Sequence, residues 1–134
     1  MSQENVEIVR RIYEAFVRSD SDQPTELFDP AVELHGTVGG LSEGSVAHGL
    51  ERIRQVFEQW DDEAWDESRL QPERFIDGGD RVVVFQHEFR RGRGSGVEVE
   101  TDTAVVFELR DGRVIRIQGY MDRASALEAA GCRE

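Results

Sequence analysis

Three histidines, His35, His48 and His87, are the side chains of this 134-residue sequence with an ordinary pKa near neutrality. A neutral imidazole can donate or accept a proton there, which is the chemistry of a general acid or base. His87 lies in RVVVFQHEFRR, residues 81–91, a β-branched and aromatic run that predicts a strand. Alternation puts Val83, Phe85, His87 and Phe89 on one face and Val82, Val84, Gln86 and Glu88 on the other. With the aromatic set inward, His87 becomes an acid/base group in an apolar pocket; the plainer reading is a hydrogen-bonded core histidine. His35 ends a short strand and stands either at that pocket or in a surface loop. His48 precedes a helix start and reads as exposed. His87 and His35 are thus the candidate catalytic residues, with Tyr13 or Asp102 assisting. No His-x-His or His-x3-His spacing occurs, and no carboxylate cluster joins a histidine on one predicted face, so no metal site is expected. No P-loop, dinucleotide fingerprint or Gly-x-Ser-x-Gly elbow is present, and no cofactor is expected. The glycine-rich GRGSG at 92–96 joins two predicted strands and offers no helix N-terminus to a phosphate.

Helices come first in the elements that must position these groups. ENVEIVRRIYEAFVR, residues 4–18, places Val6, Val9, Ile12, Tyr13 and Phe16 at helical spacing. Pro24 suits the first turn of a short helix over 24–28. AVELHG, 31–36, reads as a strand and TVGGLSEGSV, 37–46, as a surface loop. GLERIRQVFEQW, 49–60, is amphipathic, with Leu50, Ile53, Val56, Phe57 and Trp60 on one face. Strands follow at 65–76, 81–91, 97–110 and 113–121, with Pro72 marking an edge or a bulge in the first. Residues 122–131 close the chain as a short helix ending at Gly131, with Asp122 as its cap. One domain over residues 1–134 results, of α+β class: a curved sheet wrapped around N-terminal helices, with a cavity between.

The bulk properties narrow the partners. Net charge is −12, which repels nucleic-acid backbones and anionic membranes. No apolar run reaches the ~20 residues of a membrane span, and no secretory signal is visible. The single cysteine, Cys132, cannot form an internal disulfide, so a reducing cytoplasm is the expected compartment.

The last two strands flank Asp111-Gly112, a strong hairpin signal. A two-residue turn pairs Leu109 with Val114. A three-residue loop with Gly112 left-handed pairs Leu109 with Arg113, and this second register separates apolar from polar side chains more cleanly. It predicts an inward face of Thr101, Thr103, Val105, Phe107, Ile115, Ile117, Gly119 and Met121. Asp102, Arg116, Gln118 and Tyr120 take the outward face, which is either solvent-exposed or a dimer surface.

The segments IYEAF, DPAVELHG, HGLERIRQVF and LRDGRVIR…YMDRASALEAAG resemble the SnoaL-like branch of the nuclear transport factor 2-like superfamily. The resemblance implies a conical α+β barrel with a hydrophobic pocket, a homodimer formed through the sheet, and a small hydrophobic organic ligand. The expected pocket is lined by Tyr13, Phe16, Trp60, Phe85, Phe89, Thr103, Val105, Phe107, Ile117, Gly119 and Met121. It leaves three readings open: small-molecule binding, a cofactor-independent isomerase, cyclase or hydratase using the histidines, and protein interaction through the convex face. The acids of related enzymes are missing. The isomerase base position falls at Leu34, its tyrosine at Ile12 beside Tyr13, and its second acid at Thr103 or Ala104 beside Asp102. The acid and histidine of the cyclases fall at Gly119 and Val105. For the aspartate–arginine–aspartate relay of the epoxide hydrolases, Asp66, Arg69 and Arg74 are the loose candidates.

Overall fold

A computed structural model describes residues 2–17, 25–40, 42–55 and 65–132, and within them all side chains but those of Ser2, Phe16, Val17 and Trp65. Trp60, together with Val56 and Phe57, lies outside the described residues.

Helix α1 (Ser2–Val17) buries Val9 and Tyr13, with Val6, Ile8 and Ile12 packed beside them. This is the stripe its apolar spacing dictates. A 3-10 turn (Thr25–Leu27) leads into β1 (Phe28–Val38), which extends beyond the six residues expected. The expected loop at 37–46 is shorter than predicted, because Val46–His48 pair with β1 as a further strand, β2. Helix α2 is described over residues 50–55. Then come β3 (Trp65–Asp77), β4 (Arg81–Gly92), β5 (Glu98–Arg110), β6 (Arg113–Tyr120) and α3 (Arg123–Ala130).

The six strands form one sheet in the order β2-β1-β6-β5-β4-β3. All neighbours run antiparallel except β1 and β6, which are parallel. The sheet has two covered faces. On the inner face Val32, Val82, Val84, Phe107, Leu109, Val114 and Ile117 pack against Val9 and Tyr13 of α1 and Ile53 of α2. On the outer face Val83, Ala104 and Val106 pack against Ala126 and Ala130 of α3, with Phe85 and Tyr120 alongside. Helix α3 therefore lies opposite the other two rather than with them. Its ends are fixed as the sequence predicts. Asp122 accepts from the backbone N–H groups of Ala124 and Ser125, and Gly131 closes the helix in the left-handed conformation at φ 70°.

The Asp111-Gly112 hairpin takes the two-residue turn, with both residues left-handed at φ 54° and 77°. Leu109 pairs with Val114, not with Arg113. Such a turn follows the right-handed twist of the strands. The register then shifts once, so that Glu108 faces Arg116 and Phe107 faces Ile117. The shift is a β-bulge at Ile115. It places Val114 and Ile117, three residues apart, on the same inner face beside Leu109 and Phe107. The tight turn and the buried face are both satisfied because one residue is spent between them.

Candidate functional site

Position on β4 decides which polar groups enter the interior. Gln86 pairs with Thr103 and His87 with Asp102, so even-numbered residues of β4 share a face with odd-numbered residues of β5. The inner face carries Val82, Val84, Gln86 and Glu88, not Val83, Phe85, His87 and Phe89. The expected inward orientation of Phe85, His87 and Phe89 is therefore corrected. Those residues do share one face, but it is the face that α3 covers. Phe85 packs in the outer cluster with the Arg123 guanidinium 4.6 Å from its ring centre. Phe89 lies between the guanidinium groups of Arg69 and Arg91 at 4.4 and 5.9 Å.

The inner face holds a directional string of polar groups. The Tyr13 hydroxyl, from α1, donates to Gln86 Oε1 at 2.7 Å. Gln86 Nε2 donates to Thr103 Oγ1 at 3.1 Å and to Glu88 Oε2 at 3.3 Å. The Thr103 hydroxyl donates to the same Glu88 oxygen at 2.7 Å. Glu88 Oε1 is ion-paired with Arg90 at 3.0 Å. Glu88 fixes the orientation of the amide, because a reversed Gln86 would set its oxygen against a carboxylate oxygen. Tyr13 is held between the rings of Phe75 and Phe107, each at 5.7 Å. Burial, and after it the charge of Glu88, pushes its phenol far above the ordinary tyrosine range. Gln86 and Thr103 are buried at 7% and 4% exposure. Further along the same face of β5, Val99 is 44% exposed. The string thus runs from the packed core toward the end of β5 at which Val99 stands exposed.

Other expected pocket residues join this face. Val105, Phe107 and Ile117 pack in the inner cluster. Val105 pairs directly with Gly119, the two positions to which the resemblance assigns the histidine and acid of the cyclases. A Cβ at 119 would stand 2.7 Å from Thr37 Oγ1 of β1, so the neighbouring strand occupies the space an acid would need. Met121 follows the end of β6 and is 42% exposed. For Phe16 the backbone alone is described, as part of α1.

The three histidines stand on the outer face, in two charged groups. His87 meets Asp102 at 2.7 Å through Nδ1 and Glu100 at 3.0 Å through Nε2. The hydrogen bonds to Asp102 and then Glu100 raise its pKa, and the bond from His87 holds Asp102 low. Arg123 adds a contact to Asp102 at 3.8 Å and to Glu73 at 2.6 Å. His35 bonds Glu33 at 2.8 Å, and His48 reaches the other oxygen of Glu33 at 3.6 Å. Glu33 is held low, first by the His35 bond. Glu33 and His35 flank Leu34, which packs in the inner cluster, so both point outward. His35 is therefore neither in the inner pocket nor in a loop. Among the described residues no group of histidine, cysteine and carboxylate side chains is arranged to hold a metal ion.

Gln86 and Glu88 escaped the sequence reading. A signal for them existed. The connection Gly92–Val97 closes with Gly92 N–H donating to the carbonyl of Val97 at 2.8 Å. A hairpin centred there pairs even positions of β4 with odd positions of β5. With Thr103, Val105 and Phe107 assigned inward, Gln86 and Glu88 follow.

Comparison with known proteins agrees with this architecture. The family model described as a SnoaL-like domain matches residues 9–117. No functionally curated protein matches the sequence. Among solved structures, TerC co-crystallised with polyporic acid is similar at 26% identity and TM-score 0.74, over 96% of this chain and 98% of that one. An NTF2-like protein of unknown function from Burkholderia pseudomallei is similar at 25% identity and TM-score 0.75, over 93% and 95%. A protein of Catenulispora acidiphila with a ketosteroid isomerase-like fold, in complex with trimethylamine, shares the fold at 17% identity and TM-score 0.70, over 95% and 94%. With its family match running from the first helix into the last strand, this chain belongs to the SnoaL-like domain family.

Proposed function

We propose that this domain binds a small, largely apolar organic molecule on the inner face of its sheet, toward the end where Val99 is exposed. The observation that carries the reading is the polar string Tyr13–Gln86–Thr103–Glu88 set in an otherwise apolar wall. Apolar walls with a few convergent polar groups are the usual composition of ligand pockets. Buried polar groups cost stability unless satisfied, and such a network fixes orientation for an occupant. A neighbour of 26% identity was crystallised with polyporic acid, which supports an organic occupant here. The outer-face histidines take no part in this reading. A homodimer through the sheet belongs to it, with exposed Arg116 on the part of the outer face beside Glu33, and a cytoplasmic setting. The strongly negative net charge supports neither nucleic acid nor an anionic membrane as partner.

The test is ligand-observed nuclear magnetic resonance with 2-naphthol as a neutral bicyclic probe. Saturable binding that is lost in Val105→Trp, a variant that fills the inner face, supports the reading. Binding that Val105→Trp leaves intact contradicts it, provided circular dichroism shows the variant folded. For assembly, light scattering should find a dimer that Arg116→Glu weakens.

A further inference from the structure

The hydrogen-bond string has a polarity, and that polarity selects ligands. The Tyr13 hydroxyl proton goes to Gln86. The Gln86 amide nitrogen donates toward Thr103 and Glu88, which lie together on one side of it. The single proton of Thr103 goes to Glu88. Both hydroxyl protons are consumed inside the network. What the network offers an occupant is above all the carboxylate of Glu88, whose side chain is 13% exposed. A carboxylate oxygen can accept more than one hydrogen bond, so the bond to Arg90 does not exhaust Oε1.

Resting on the small-molecule reading above, we infer that the inner-face site selects ligands presenting an O–H or N–H donor, neutral or cationic, toward Glu88, over isosteric ketones and carboxylates. A ketone brings a further acceptor to the Glu88 carboxylate and leaves both without a proton between them on burial. A carboxylate adds like charge beside Glu88. The chain's net charge of −12 acts in the same direction, concentrating cations and repelling anions. Glu88 is the residue that determines this specificity. Its own orientation is set by Thr103 and Gln86 on one oxygen and Arg90 on the other.

The experiment compares four ligands on one scaffold: 2-naphthol, 2-naphthylmethylamine, 2-naphthoate and 2-acetonaphthone. Dissociation constants are measured on the full chain by calorimetry or ligand-observed resonance. The naphthol and the amine should bind about tenfold or more tightly than the naphthoate and the ketone, the effect of one hydrogen bond to a charged group. In Glu88→Gln, which supplies N–H donors in place of the second acceptor, the preference should vanish or invert. Equal binding of all four, or tighter binding of naphthoate through Arg90, overturns the inference while leaving the small-molecule reading in place. Binding by none of the four overturns that reading, and the inference with it. If Glu88→Gln does not fold, Arg90→Met serves instead. It removes the guanidinium from Glu88 Oε1 and should tighten donor ligands relative to the ketone; no change in that ratio counts against the inference.

Discussion

Tyr13→Phe isolates one hydrogen bond of the inner string. The substitution removes the hydroxyl that donates to Gln86 Oε1 at 2.7 Å and leaves the ring between Phe75 and Phe107. No cavity forms, so the cost is polar. A buried neutral hydrogen bond contributes about 1 kcal/mol net, and leaving a buried acceptor unsatisfied costs about 1–3 kcal/mol. Gln86 is 7% exposed, so water reaches its oxygen poorly. The expected loss is about 1–2 kcal/mol. Urea unfolding followed by circular dichroism should show the midpoint falling by about 0.5–1 M at an unchanged slope near 2 kcal/mol/M. Gln86→Leu should cost less in the Tyr13→Phe background than in the wild type, with a coupling of about 1 kcal/mol. A Tyr13→Phe protein within about 0.3 kcal/mol of wild type, with additive behaviour in the double variant, would refute the assigned bond.

Three further outcomes follow from particular contacts. The raised pKa of His87 makes its contribution complete below the ordinary histidine value of 6.5 and lost as pH rises through the folded value. The lowered pKa of Asp102 makes its share complete above 3.8 and lost as pH falls through its own folded value. Urea midpoints should therefore decline from pH 6 to pH 8, and His87→Gln should flatten that decline. Gly119→Ala should destabilise by about 1–3 kcal/mol, since its Cβ meets Thr37 Oγ1 at 2.7 Å. Thermal melts should show part of that loss recovered when Thr37→Ala removes the hydroxyl. Asp122→Ala should cost about 1 kcal/mol by loss of the α3 cap, visible as an earlier denaturation midpoint.

The elements were legible in the sequence because their signals are local. The apolar stripe of α1, the Asp-Gly turn, and the cap at each end of α3 all act within a few residues. The parallel pairing of β1 with β6 joins residues 33–35 to 116–118 and leaves no local mark. The face of β4 is hidden in the sequence for a different reason. Val82, Val83 and Val84 are all fully buried, because α1 covers one side of the sheet and α3 the other. Alternation fails as a guide where both faces are apolar. The aromatic residues Phe85 and Phe89 then drew the inward assignment to the wrong side and carried His87 with them. Thr103, Val105 and Phe107 share the inner face, as the cleaner alternation of β5 predicts. The pairing of Val105 with Gly119 follows from the bulge at Ile115, which has no mark in the sequence. The bulge reconciles two demands, turn twist and buried face, that each residue type satisfies separately.

In the proposed function the working face of this domain is the inner one, beside Glu88, and not the outer face that holds the histidines. Methyl-resolved resonance spectra during a titration with 2-naphthol distinguish the two faces. Saturable shifts are expected at Thr103, Val105 and Ile117, with Val83, Val106 and Ala126 unmoved. Shifts confined to Val83, Val106 and Ala126, with the inner-face methyls silent, would contradict it.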